Sequence, residues 1–448
     1  MGKQPRRGRV DAALLLATSV VVLATAATTG CPADQASALL RLRRSFQQPD
    51  LNLPSWRVGT DCCRWEGVAC DGDAASGRVV TALDLGGRGL RRGGAGLDGD
   101  SLFRIVTLRR LSLAGNDFGG AALPAPGFER LADLTHLNLS NAGFTGQVPV
   151  GVGSLRRLVS LDLSSVVDEQ LISVTPPLEF KRPSFRAVMA NLTSLRELHL
   201  GGVDTTSTAP AGDDWCAVLA DSTPRLRVLT MPSCNLSGTI CASFSRLRSL
   251  AVVDLSGNNQ GYSDDGSVIA LSGPIPGFFA EFRHLAVLQL SNNDFNGSLP
   301  RSIFQLPRLR VLDVSSNSHL AGSLPELPAS SCLEVLNLKE TRFSGQIPSS
   351  IGNLKHLKTL DISVSNGSGG IPASIGDLAS LSLLDLSSSE FQIGELPAAI
   401  GRMQSLSTLR LVGCGISGEI PASFANLTRL TELDLSQNNI SGEPGQHA

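Results

Sequence analysis

A Leu-x-x-Leu-x-Leu-x-x-Asn unit recurs along almost the whole chain, and no other feature restricts its folding as strongly. Leu285-Leu288-Leu290-Asn293, Leu309-Leu312-Val314-Asn317 and Leu430-Leu433-Leu435-Asn438 follow it in full, and Leu134-Leu137-Leu139 carries an Asn in the following turn. Anchored on the middle apolar residue, units fall at 111, 137, 161, 198, 229, 253, 288, 312, 336, 360, 384, 409 and 433. Eight of the twelve intervals are 24 or 25 residues and one is 26. With a partial unit at Leu83 and Leu85 the count is about fourteen. Length alone would suggest two or three unrelated domains for 448 residues, but this period specifies one stack of like units.

The spacing dictates the local structure. Leu-x-Leu is a short strand of period two, with both leucines inward and the residue between them outward. Neighbouring strands pair in parallel about 4.8 Å apart, so fourteen give a curved stack roughly 60 Å long. The Asn sits where the chain turns inward, and its amide can satisfy backbone groups that would otherwise be buried without partners. Behind the strand comes Gly-x-Ile-Pro or a close variant, as in Gly146-Gln147-Val148-Pro149, Gly345-Gln346-Ile347-Pro348 and Gly418-Glu419-Ile420-Pro421. Gly permits the tight turn, the aliphatic residue fills the interior and Pro fixes φ on the return. Aromatics are only 4% of the chain, which predicts an aliphatic core.

The first thirty residues read as an address. Lys3, Arg6, Arg7 and Arg9 precede an apolar run from Ala12 to Ala27, the layout of a secretory signal peptide removed before Cys31. A run of this length is short for a membrane span of about 20 residues. The mature chain is therefore expected in an oxidising, extracellular compartment. Its formal charge of −2, from 38 basic and 40 acidic residues, argues against a nucleic-acid partner.

Leu-x-x-Leu-x-Leu-x-x-Asn-x-Leu-x-Gly-x-Ile-Pro is the pattern of the plant-specific leucine-rich repeat. Asp61-Cys62-Cys63-Arg64-Trp65-Glu66-Gly67-Val68-Ala69-Cys70 resembles that family's N-terminal cap, and Asp34 through Phe46 resembles its capping helix. Asn191 to Leu198, then Asp214-Trp215-Cys216, then Cys234 to Cys241 follow an order similar to the ectodomains of plant receptor-like proteins that confer resistance to vascular-wilt fungi. The resemblance implies an α/β fold: a right-handed leucine-rich-repeat solenoid with a parallel concave sheet and an N-terminal disulfide cap. The expected organisation is a signal peptide over 1–30, a cap over 31–78 and repeats over 79–448, with insertions near 166–186 and 259–271. The chain ends just after the fourteenth expected strand, with no C-terminal cysteine cap, membrane span or kinase motif in the sequence.

Nine cysteines sort by position. The family pairing implies Cys31–Cys62 and Cys63–Cys70 in the cap. Cys234 and Cys414 fall on the Asn position of their repeats and read as buried thiols. Of the remaining three, Cys216–Cys241 is the expected pair, tying down the irregular loop that carries Trp215, and Cys332 is left over; a Cys234–Cys241 bond would overturn this sorting. A zinc site lacks matching His or Cys spacing. Seven Asn-x-Ser/Thr sequons, at Asn138, Asn191, Asn235, Asn296, Asn366, Asn426 and Asn439, are expected to carry glycans where exposed.

No catalytic motif stands out. The sequence contains no Gly-x-Ser-x-Gly elbow, phosphate-binding loop or His-Glu-x-x-His, and no cofactor is expected. Asp162, Asp254, Asp313, Asp361, Asp385 and Asp434 recur at the outward strand position, where they are expected to bond laterally to Ser or water. Binding is the function the shape offers, since stacked strands present their outward residues in columns. His199, Gln289, Asn337 and Arg410 depart from the Asp column, and Lys339 and Glu340 from the Ser-rich column beside it. These six form the expected specificity strip for a peptide, protein or glycan ligand, with a co-receptor kinase as the partner that the resemblance implies. The rival readings are a secreted inhibitor of microbial cell-wall hydrolases, similar to plant polygalacturonase inhibitors, and a truncated fragment without independent function.

Overall fold

A computed structural model of the chain describes residues 30–72, 77–93, 97–165, 178–205, 214–262 and 268–441, together with Gly2. The amino-terminal basic and apolar segment, residues 166–177 and 263–267 of the two expected insertions, and the tail from 442 lie outside the described residues.

The leucine periodicity builds one long sheet. Its first strand, Val68–Asp71, runs antiparallel to Val79–Asp84, and every later strand is parallel to the one before it. The sheet has fifteen strands, so fourteen form the parallel stack. The register aligns the middle apolar residue of every unit, as in Leu288↔Leu312 and Leu336↔Leu360. From Leu83 to Leu409 these residues are at most 2% exposed, whereas Leu433 in the last strand is 45% exposed. Each unit is therefore covered by its successor, so stability is shared between neighbours.

The turn after each strand explains the Asn. The residue before it takes a left-handed conformation, with φ near 50° at Asn292, Ser316, Glu340 and Val364. Val364 is the costly case, because a β-branched side chain disfavours that region. Asn317 then points inward. Its Nδ2 donates to the carbonyls of Leu290 (3.0 Å) and Val314 (2.9 Å), and its Oδ1 accepts from the Phe295 amide at 2.9 Å. Asn258 does the same with Met231 and Leu255, and accepts from the amides of Cys234 and Leu236. At other units smaller donors take the position: the Cys234 thiol donates to Leu200 O, the Cys414 thiol to Leu386 O, and the Ser365 hydroxyl to Ile362 O. Burial pushes the Cys414 thiol up to about 12 and raises Cys234 further, so both are un-ionised donors.

Behind the turn, Ser272–Pro274, Asp294–Ser298, His319–Gly322, Arg342–Gly345 and Asn366–Gly367 form a second parallel sheet, and short 3₁₀ segments such as Ser349–Asn353 complete the return. Before the fifth and sixth parallel strands, α-helices Phe185–Met189 and Trp215–Ser222 replace the 3₁₀ turn. Leu178–Glu179, inside the first expected insertion, pairs with Phe144–Gln147 and so belongs to the repeat. Asn259–Tyr262 and Val268–Ala270 form an antiparallel hairpin that leaves the seventh unit. The core is mostly aliphatic, as composition predicts, with one aromatic cluster. Phe244, Phe279 and Phe282 are fully buried, with ring centroids about 6 Å apart, and Trp215 packs edge-on against Phe244.

At the amino end, helix Ala33–Arg44 buries Ala38, Leu39 and Leu42, and Trp56 stacks on Trp65. Bonds Cys31–Cys62 and Cys63–Cys70 fasten this cap, and Cys216–Cys241 ties the helix at Trp215 to the next turn. Cys234 and Cys414 are buried free thiols, and Cys332 is free and exposed.

Charges also link units. Glu334 accepts from Arg310 Nε at 2.5 Å and from Lys358 Nζ at 2.8 Å, joining three successive repeats and holding its carboxyl at about 2. Because this value is below that of the unfolded chain, near 4.5, the clamp stabilises above about pH 4.5 and is lost as the pH falls toward 2. Glu334→Gln is expected to lower the melting temperature at pH 6 and to match the wild type at pH 2, as read by pH-dependent thermal unfolding. Asn317→Ala, which strips partners from three buried backbone groups, should cost about 3 kcal/mol in urea unfolding.

Candidate ligand-binding face

The outward residues of the parallel strands make columns on the concave face. In the middle column, Asp162, Asp254, Asp313, Asp361 and Asp434 each accept from the amide and hydroxyl of the Ser two residues later, for example Asp313 Oδ1 from Ser315 N (3.0 Å) and Oγ (2.7 Å). The expected Ser partner is found, but along the strand, because period two places that Ser on the same face; cross-strand contacts are added at Asp313 from Asn337 and at Asp385 from Arg410. Asp385 uses the Ser387 amide in the same way. Burial raises the Asp361 carboxyl, opposed by its bonds to Ser363 and reinforced by nearby Asp385.

The six expected contact residues are spread along this face. His199 lies in the fifth parallel strand, Glu197–His199, with Nδ1 2.8 Å from Thr230 Oγ1. Gln289 ends the eighth strand, Val287–Gln289. Asn337 ends the tenth, Val335–Asn337, where its Nδ2 donates to Asp313 Oδ2 at 3.2 Å. Lys339 Nζ is 3.5 Å from Glu340 Oε1, and Ser316 Oγ donates to Glu340 Oε2 at 2.8 Å. Arg410, in the thirteenth strand, grips both oxygens of Glu432 (2.6 and 3.0 Å) and lies 3.6 Å from Asp385. The structure therefore brings Asn337, Lys339 and Glu340 together, with Gln289 two strands away. It leaves His199 and Arg410 each three strands beyond, roughly 14 Å at the spacing of paired strands.

Two features lay outside the sequence reading. One is a column of valines before the middle leucines, Val228, Val252, Val287, Val311 and Val335, directly adjacent in register and all half-buried. The signal was available: stacking the units aligns Arg-Val-Leu, Ala-Val-Val, Ala-Val-Leu, Arg-Val-Leu and Glu-Val-Leu. The other is a shallow hollow of about 400 Å³ lined by Ser164, Ser165, Gly201, Thr230, Pro232 and Asp254. It exists because Gly201 stands where other units place Ser. His136, nearer the cap, has its pKa lowered by burial and then by Arg110.

Sequons Asn296, Asn366 and Asn439 are exposed on strands of the return side, and Asn191 and Asn426 are exposed in turns. Asn138 and Asn235 are half-buried, and Asn138 Oδ1 accepts from Ser140 N and Oγ.

Residues 32–71 match the family described as leucine rich repeat N-terminal domain, and 284–306, 332–354 and 405–427 match leucine rich repeat, as does 426–443. Receptor-like protein 6 of Arabidopsis thaliana is 33% identical over 265 residues, which is 55% of this chain and 25% of that protein. Receptor-like protein Cf-9 of Solanum pimpinellifolium is 30% identical over 248 residues, 51% of this chain and 26% of that protein. The chain thus spans about a quarter of the length of these curated relatives. Among solved structures, the ectodomain of the Arabidopsis receptor kinase HAESA, in complex with an N-terminally extended IDA peptide hormone, superposes with a TM-score of 0.72 at 29% identity, over 91% of this chain and 66% of that one. A TDR receptor gives a TM-score of 0.66 at 26% identity, over 81% and 56%. Cap, repeats and relatives agree: the chain has the leucine-rich-repeat fold and is similar in sequence to the plant receptor-like proteins.

Proposed function

We propose that the chain is a non-enzymatic recognition ectodomain of the plant receptor-like type, which binds an extended peptide along the concave face of the sixth to tenth repeats. The valine column carries this reading. Five half-buried valines at about 4.8 Å spacing make an apolar track of about 19 Å, the length of roughly six extended residues. Beside it, Thr230, Asp254, Gln289, Asp313 and Asn337 offer hydrogen-bonding groups to a peptide backbone. Lys339 and Glu340 supply charge at one end, and His199 with the neighbouring hollow borders the other. Arg410, already committed to Glu432, marks a limit of the track rather than its centre.

The similar HAESA ectodomain, solved with a peptide hormone, supports a peptide over a glycan in this track. The domain order is a signal peptide over 1–30, a cap over 31–78 and repeats to 448. The chain acts outside the cell, or at the plasma membrane where a longer gene product supplies a span; among the described residues no helix is long and apolar enough to cross a membrane. Glycans occupy the exposed sequons, and a co-receptor kinase reads the liganded state.

Panning the secreted chain against a displayed library of random linear peptides tests the reading. Selected peptides should protect the strands over 228–337 from hydrogen exchange. Val252→Asp with Val287→Asp should weaken them at least tenfold without unfolding the chain, because both side chains are half-exposed. Peptides that protect no concave strand, or tight inhibition of a microbial polygalacturonase by the chain, would sink it.

A further inference from the structure

The chain is nearly neutral overall, yet its charge is segregated. The turn that leads into each parallel strand reads Arg156-Arg157 before the fourth, Arg225-Leu226-Arg227 before the sixth, Arg246-Leu247-Arg248 before the seventh and Arg308-Leu309-Arg310 before the ninth. Leu226, Leu247 and Leu309 are at most 2% exposed, so the flanking arginines are driven outward, and all are exposed. Backbone bonds line these turns up: Arg196 N donates to Val159 O, Arg227 N to Arg196 O, Ala251 N to Arg227 O, Ala286 N to Ala251 O and Arg310 N to Ala286 O, at 2.7–2.8 Å. They form one flank of the solenoid, at the N-terminal ends of the concave strands. From the fourth to the ninth strand it extends about 24 Å.

Acidic groups quench part of this flank. Arg157 pairs with Asp133, Arg246 with Asp221, Arg248 with Glu281 and Arg310 with Glu334. Arg156, Arg196, Arg225, Arg227, Arg283 and Arg308 have no acidic partner among the described residues. Arg196 and Arg227 are moreover direct neighbours in the ladder, a like-charge placement that destabilises the free protein. Neighbouring charges lie within a Debye length of about 8–10 Å at physiological salt, so they act as one band.

We propose that this flank binds a linear polyuronide, a polysaccharide that carries a carboxylate on each sugar. Guanidinium groups accept carboxylates in a two-point fork. A single file of them suits a long chain of regularly placed carboxylates better than a compact partner. A globular protein would want a central apolar anchor, and a single-stranded nucleic acid would want aromatic stacking platforms. Among the described residues the large exposed hydrophobic residues are all aliphatic, and none falls between residues 156 and 308. Asn296, Asn366 and Asn439 stand on the return side, past the opposite ends of the concave strands and away from this flank, whereas exposed Asn191, in the turn before the fifth strand, stands on it. The proposal is independent of the peptide track, which uses the concave columns.

The test measures binding of the secreted chain to polygalacturonate, to the same polymer fully methyl-esterified, to polyglutamate and to a short RNA duplex. The expected result is binding to polygalacturonate that weakens at least tenfold when salt rises from about 0.1 to 0.3 M, with no binding to the methyl ester. The variant Arg196→Gln/Arg225→Gln/Arg227→Gln/Arg308→Gln should lose at least tenfold while its thermal unfolding is not lowered. Hydrogen exchange on the unsubstituted chain gives a second reading, with protection expected at 194–198 and 225–229. Equal binding by the variant, equal binding of the methyl ester, protection confined to the cap, or tighter binding of polyglutamate or RNA would each overturn the proposal.

Discussion

The solenoid depends on one constraint: a chain that turns inward after every strand must find partners for the backbone groups it buries there. The column of inward side chains meets it. Asn317 bonds two carbonyls and an amide, and an unmet buried group costs about 1–3 kcal/mol. The acceptor side of this device obeys a rule. Each Asn takes the amide two residues beyond the matching position of the preceding unit: Leu90 for Asn116, Leu236 for Asn258, Phe295 for Asn317 and Ile416 for Asn438. For Asn293 that amide belongs to Gln260, which has left the repeat in the hairpin strand Asn259–Tyr262. Asn293 Oδ1 is accordingly buried without a partner. An insertion at the ladder thus has a local energetic signature, and it falls on the unit after the one that carries it.

The same column weakens where the face is most irregular. Ala142 and Val203 cannot donate, and Cys234 replaces a two-donor amide with one weak donor. The Val203 and Cys234 units also line the hollow at Gly201. Over the fifth and sixth repeats, then, the stack is held less by its amide ladder and more by packing. The Cys216–Cys241 bond and the contact of Trp215 with Phe244 lie in that same span.

Repeat period, inward leucines and the Asn turn were legible because each is a fixed spacing imposed by strand geometry. The aromatic cluster at Phe244 was not, since composition counts residues without saying which units bring them together. The candidate face was legible only in part. Departures from the Asp and Ser columns singled out Asn337, Lys339 and Glu340, which lie together in the fold, but Arg410 departs from the Asp column to clamp Glu432 and Asp385, a cross-strand pairing that no single repeat displays. The valine column escaped for the opposite reason. It conforms to the repeat, and a search for exceptions passes over a feature made by repetition.

Whole-chain charge illustrates the same point from the electrostatic side. A sum of −2 bears on solubility and says little about a solenoid's partners, because each position in the repeat becomes a line along one face. Acidic residues collect in the concave column, where their own strands' serines and amides hold them. Arginines collect before the strands, where alternating buried leucines expose them. Summing the two erases both. A basic flank and an acidic, hydrogen-bonded concave sheet are separate surfaces of a near-neutral chain, so net charge alone is a weak ground for excluding polyanions. The repeat position of each charge is the physically relevant count.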